Sequence, residues 1–210
     1  GDFVGTSLIA VDEKSVAHIP GLVAVVRIAD FVGVVAEREE SAIAAMTALK
    51  LSWKRTPTLP DLADLDTALR ANPSTPRTLL DKGDIDAALA GAATQARRTY
   101  VWPYQMHGSI GPSCAVADVR ADGARIWSGT QNPHWMRADL AKLIELPEHR
   151  IDLIRLEAAG CYGRNCADDV TADAALLSRA VGRPVRVQLT REQEHVWEPK
   201  GAAQLIDVNG

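Results

Sequence analysis

Aromatic side chains are scarce, at 5% of 210 residues, so the large fillers of a protein interior are few. Any core must be assembled from small aliphatic groups at close backbone approach. Cysteine is scarcer still. Cys114, Cys161 and Cys166 make an odd count with no Cys-x-x-Cys pair, which argues against a disulfide framework. Zinc held by Cys161 and Cys166 with Cys114, His107 or His134 is a weaker reading than thiols acting as small hydrophobes. Cationic excess is absent: 23 Lys and Arg against 27 Asp and Glu give a net charge of -4, without the electrostatic footprint of a nucleic-acid binder. The longest apolar region, LVAVVRIADFVGVVA at 22–36, is broken by Arg27 and Asp30, so it is not a membrane-spanning helix and reads as paired strands. A G-x-S-x-G elbow, a P-loop, a dinucleotide fingerprint and an internal repeat of fixed period are missing too.

What remains is 47% hydrophobic, enough for one medium domain or two small ones. Residues 1–55 alternate strand-like and helix-like pieces: SLIAVD, a helical turn EKSVAHI, the Pro20-Gly21 turn, VAVVRI, FVGVVA and SAIAAMTALK. The last puts Ile43, Met46 and Leu49 or Lys50 near one helical face, with Ser41 as the N-cap, and the preceding EREE reads as a solvated helix start. Prolines 57, 60, 73 and 76 then make 56–96 a connector in which only DIDAALAGAATQA looks helical. CAVADVRADGARIWSG predicts a hairpin turning at Asp122-Gly123.

Two strand-to-helix junctions follow. WSGTQ leads through Asn132 and Pro133, a good N-cap and first helical residue, into a helix with Met136, Leu140, Leu143 and Ile144 on one face. RIDLIRL leads through GCYGRNC and Asp168 or Asp169 into VTADAALLSRAV, stopped by Gly182, after which PVRVQLTR alternates as a strand. Helix starts of this kind offer free N–H groups and the positive end of the dipole to anions. Gly160 and Gly163 remove side chains where a ligand could approach the backbone, although tight turns use glycine for purely structural reasons as often. Gln131 places a donor and an acceptor at a helix mouth, where a solvent-facing role is the plainer alternative. In REQEHVWEPKG, His195 and Trp197 face either a site or solvent.

The pieces WSGTQNPHWMRADLAKLIELPEHRI, AAGCYGRN and GRPVRVQLTREQEH resemble the molybdopterin-binding large subunit of the xanthine dehydrogenase and aldehyde oxidase family, of the isoquinoline 1-oxidoreductase or nicotinate dehydrogenase type. Residues 5–53 are similar to the α/β hammerhead domain preceding it. The fold class this implies is α+β: a partial hammerhead domain at 1–56, a linker at 57–96 and the first part of a molybdopterin-binding domain at 97–210. The implied activity is oxidative hydroxylation of an N-heterocycle or aldehyde at a molybdenum-pterin cofactor of dinucleotide type, with oxygen from water and an iron-sulfur subunit or domain taking the electrons. By position, Gln131 matches the glutamine beside the metal's oxo group. Gly160, Cys161, Tyr162 and Gly163 match a GGFG-type loop against metal and pterin.

The departures carry expectations of their own. Cys161 and Tyr162 replace the family's usual glycine and phenylalanine, and Gly111 in MHGSIGP stands where relatives carry a glutamate. The family's catalytic glutamate has no counterpart before Gly210. Both natural ends are expected to lie beyond the chain, which opens without methionine and closes on the strand-like IDVNG. On its own it is expected to be inactive. The alternative from another class is a non-catalytic binding or assembly module with the same fold.

Overall fold

The computed structural model describes residues 6–56, 58, 60–163 and 167–210. Along the chain run β1 (Ser7–Asp12), a 3-10 turn (Glu13–Ser15), β2 (Leu22–Ile28), β3 (Phe31–Ala36), α1 (Glu39–Ala48) and β4 (Lys50–Lys54). Then come α2 (Leu65–Ala71), α3 (Ile85–Gly91), β5 (Arg97–Trp102), β6 (Cys114–Arg120), β7 (Gly123–Ser128) and α4 (Pro133–Leu143). A second 3-10 turn (Glu148–Arg150), β8 (Ile151–Arg155), α5 (Ala167–Val181), β9 (Val185–Gln188), α6 (Arg191–Trp197) and β10 (Gln204–Asn209) complete it. This is a mixed α+β architecture of small sheets. Two compact units divide it: residues 1–58 with 107–199, and 59–106 with 200–210.

The first unit is built on a four-stranded sheet in the order β8-β7-β6-β9. β6 runs antiparallel to β7 and β9, and β7 runs parallel to β8, with α4 as the crossover between them. Strict alternation buries Ala115, Ala117 and Val119 of β6 and Ala124 and Ile126 of β7 against Met136 and Leu140 of α4 and Val170, Ala174 and Ala175 of α5. Alanine at the sheet–helix contact lets the layers approach closely, so the aromatic-poor composition is met by a core of small residues. Burying Ile126 and Leu140 alone contributes about 2–3 kcal/mol each before entropy is counted. Ser178 of α5 is fully buried there, accepting from the Val119 amide at 2.9 Å and donating to the Arg183 carbonyl at 2.7 Å.

The apolar run at 22–36 is indeed a hairpin, β2 against β3. The two residues that interrupt it tie down β1: Asp30 accepts from the Leu8 amide at 2.7 Å and Arg27 donates to the Leu8 carbonyl at 3.0 Å. β3 lies so near α5 that a Cβ on Gly33 would stand 2.6 Å from Leu177 Cδ2. β1 pairs with β4, a strand that starts directly after α1.

Several local expectations are corrected. α1 begins at Glu39 with Arg38 at the N-cap position and no side-chain cap, so Ser41 lies inside the helix. Glu39 and Glu40 satisfy the positive helix end instead, and Glu39 also takes a hydrogen bond from Arg186. Lys50 belongs to β4 rather than to the helix. The β6–β7 turn is Ala121-Asp122, one residue earlier than expected, because Gly123 already pairs with Arg120. A Cβ at Gly123 would meet the Arg150 carbonyl at 3.0 Å.

In the second unit β5 and β10 pair antiparallel, from Trp102 opposite Gln204 to Arg97 opposite Asn209. The proline-rich stretch holds two short helices, each N-capped by an aspartate. Asp64 accepts from the Thr67 amide at 3.1 Å and Asp84 from the Ala87 amide at 2.9 Å. Arg70 of α2 pairs with Asp207 of β10 at 3.1 Å.

Candidate functional site

The strand directions place the carboxyl ends of β7, β8 and β9 and the amino end of β6 along one edge of the sheet. In open sheets with parallel strands, ligands bind outside that edge. A cavity of about 270 Å³ opens there, lined by 111–116, 127–129 and 156–160. Its walls are largely backbone. Ile110 donates to the Ala159 carbonyl at 3.1 Å, Leu156 to Ser128 at 2.9 Å and Leu189 to Ser113 at 3.0 Å, which stitches the three segments together. A Cβ on Gly129 would stand 2.7 Å from Ala158 Cβ, and one on Gly111 2.5 Å from Ala159 Cβ. No side chain fits at 111 in this arrangement, so a glutamate there would require the 158–160 wall to move.

Beyond β8 the chain turns through a bend in which Gly160 (φ 109°), Tyr162 (φ 52°) and Gly163 (φ 123°) all have positive φ. Tyr162 therefore adopts a backbone conformation costly for a bulky side chain. Its ring folds back over Gly160, where a Cβ would lie 3.0 Å from Tyr162 Cζ, and stays 60% exposed. Cys161 is half-buried with a free thiol. Gly160 lines the cavity. Arg164, Asn165 and Cys166 lie outside the described residues.

Gln131 is exposed in the loop between β7 and α4 and is not among the residues lining the cavity. Its neighbour Thr130 is fully buried, accepts from the Asn132 amide at 3.2 Å and donates to Asp168 in the first turn of α5. Ser128 and Thr171 share a second hydrogen bond between the same elements. The two helix starts differ in electrostatics. α5 carries Asp168 and Asp169 in its first turn, so its own carboxylates occupy the positive end and an anion there meets like charge. α4 has Pro133 at its start, no acidic residue in its first turn and no side-chain cap from Asn132, which leaves its amide donors open. Of the two junctions, α4's is the one suited to an anion.

A larger hollow of about 630 Å³ lies elsewhere in the first unit, lined by β3, α1, β9 and α5. Its lining mixes aliphatic side chains with Glu37, Arg38, Glu39, Asp173, Arg186 and Gln188, and Arg186 is tied to Glu39 and Gln188 there. Burial, with the Asp169 charge adding to it, pushes the Asp173 carboxyl up to about 6.

Apolar periodicity does not announce α6, a helix of seven residues. His195 and Trp197, which stand out there by residue type, are exposed. Glu194 is fully buried and Glu198 nearly so, four residues apart on one helical face. Glu194 accepts from the Ser113 amide at 3.1 Å and the Ser113 hydroxyl at 2.9 Å, and pairs with Arg191 at 3.1 Å. Glu198 accepts from the backbone amides of His107 and Gly108 and lies 3.1 Å from His107 Nδ1. Together they pin 107–113, of which 111–113 line the cavity. A capping box, Thr190 with Gln193, starts this helix, and that Thr-x-x-Gln spacing was the readable signal. Among the described residues no group of three His, Cys, Asp or Glu could hold a metal ion.

The strand-end cavity thus has glycine walls and a left-handed bend beside it. Residues 71–209 match the molybdopterin cofactor-binding domain model, and the chain belongs to that family. It is 67% identical over 211 residues to a nicotinate dehydrogenase subunit of Pseudomonas putida, covering 100% of this chain and 18% of that protein. It is 34% identical over 164 residues to the aldehyde oxidoreductase molybdenum-binding subunit PaoC of Escherichia coli, covering 75% of this chain and 22% of that protein. Quinoline 2-oxidoreductase from Pseudomonas putida 86 superposes with a TM-score of 0.73 over 97% of this chain and 32% of that one, at 18% identity. Aldehyde oxidoreductase from Desulfovibrio gigas gives 0.72 over 98% and 28%, also at 18% identity. The solved structures establish the likeness of fold. These curated relatives are far longer than the chain, which spans about a fifth of each.

The residues present fit a pterin cofactor as one wall of its site. The cavity's glycine walls at 111, 129 and 160 expose backbone to it, and its about 270 Å³ lies below the roughly 300–1,000 Å³ of complete ligand pockets, while the bend beside it has no room for a Cβ at Gly163, where the His107 ring stands.

Proposed function

We propose that this chain is the part of a molybdenum hydroxylase that forms one wall of its cofactor site, and that the whole enzyme hydroxylates an N-heterocycle. The observation that carries the reading is the glycine-walled cavity at the carboxyl ends of β7 and β8, flanked by the positive-φ bend at 160–163. The 67% identity to a nicotinate dehydrogenase supports a pyridine-type carboxylate as substrate over an aldehyde.

The reaction takes a ring C–H and water to C–OH, two protons and two electrons. A molybdenum-pterin cofactor of dinucleotide type supplies that redox chemistry when bound, and an iron-sulfur subunit or domain receives the electrons. This chain's residues bind and orient. Gln131, at the open start of α4, presents a side-chain amide that can donate to an oxygen and accept from a donor. Gly160, Cys161, Tyr162 and Gly163 hold the bend against the pterin. We assign residues 1–56 to a partial hammerhead domain, 57–96 to a linker and 97–210 to the first portion of the cofactor-binding domain.

The test is Gln131→Ala in the protein purified from its own host. Turnover of nicotinate should fall by roughly 10²-fold, as for loss of one positioned hydrogen-bond donor, with molybdenum content and thermal midpoint kept. An unchanged rate refutes the role of Gln131. Wild-type protein without molybdenum, pterin or hydroxylase activity supports the non-catalytic module instead.

A further inference from the structure

We propose that His107 is a positioning residue of the 160–163 bend, its ring fixed by Glu198 so that Nε2 faces Gly163. The proposal rests on the reading of that bend as a cofactor contact. Glu198 is 2% exposed and takes the backbone amides of His107 and Gly108, so its carboxylate is anchored before the ring is considered. His107 Nδ1 then lies 3.1 Å from Glu198 Oε1 and 3.1 Å from the Pro199 carbonyl. Both neighbours only accept, so Nδ1 carries a hydrogen. The opposite ring edge meets the bend: an ideal Cβ at Gly163 would stand 2.6 Å from His107 Cδ2 and 2.8 Å from Nε2.

The ring therefore occupies the space a side chain at 163 would need. Gly163 is required twice over, by its φ of 123° and by the imidazole beside it. α6 thus reaches the bend in two steps: carboxylate to imidazole, and imidazole to glycine. Among the described residues no hydrogen bond to Nε2 is found.

The test is a double-mutant cycle of His107→Ala and Gly163→Ala in the protein from its own host. It is read by molybdenum and pterin content and by hydrogen exchange of the peptide spanning 158–163. His107→Ala leaves the backbone bonds to Glu198 in place. It should speed exchange in that peptide roughly tenfold without changing exchange in α6. Gly163→Ala should cost more cofactor in the presence of His107 than in its absence, so the double variant retains several-fold more than the product of the single losses. His107→Gln, whose amide reaches as far as Nε2, should restore much of the content. Should His107→Ala fail to accumulate, His107→Asn keeps a donor toward Glu198 but cannot reach residue 163, and carries the same expectation. Additive losses, or exchange that rises equally in α6 and the bend, overturn the proposal. Wild-type protein lacking molybdenum defeats the proposed function, while the exchange measurements still decide the role of His107.

Discussion

Asp173 is a carboxyl placed where ionisation is costly, on the face of α5 beside the larger hollow, with Asp169 one turn away. Its pKa is raised from 3.8 to about 6, so the folded state keeps a proton that the unfolded chain releases between pH 4 and 6. Stability therefore falls as pH rises through that window, and the full cost is present above it. Asp173→Asn should remove this slope and raise stability at pH 8 by about 1–3 kcal/mol, read as the difference between the two unfolding curves at each pH. Parallel pH dependence in wild type and variant contradicts it. At this scale the sequence was uneven as a guide. Gly160 and Gly163 were legible because positive φ selects glycine. Tyr162 with positive φ was not, since nothing local requires it. Glu194 and Glu198 were missed because burial of a charge is decided by partners some eighty residues away, at Ser113 and Gly108.

At the scale of elements, α6 is the clamp. Its capping box satisfies the Gln193 amide through Thr190 and the Thr190 amide through Gln193, at 3.1 and 2.9 Å. Thr190→Ala should destabilise the first unit by about 1 kcal/mol and loosen 107–113 with it. Exchange in 107–113 unchanged in that variant would show the loop to be held by something else. The approach of β3 to α5 is the other sensitive contact. Gly33→Val drives a branched side chain into Leu177 and should cost about 1–3 kcal/mol of stability, with the thermal midpoint as readout. The strands β6 and β7 and the helices α4 and α5 were legible from alternation and from spacings of four and seven, because each buries one face on a single core. α2, β4 and β5 were not. β4 follows α1 without a turn, and β5 is exposed along its length and pairs with β10 about a hundred residues later, which no local pattern reports. Asp64 and Asp84 were the available cap signals in the proline-rich stretch.

At the scale of the molecule, the proposed function has the chain contribute a sheet edge, a bend and a clamped loop to a site completed by other segments. The order of motifs along the sequence pointed to the family that the domain match bears out. The site was less legible, because the cavity depends on strand direction and on which helix start is already neutralised. The central claim is that the 160–163 bend is a surface that a molybdenum-pterin group packs against. Its most direct test is molybdenum and pterin content of wild type and Gly163→Val purified side by side from the native host. Cofactor in the wild type and a large loss in the variant, with its fold retained by circular dichroism, is the expected result. Equal cofactor content in the two proteins would contradict it.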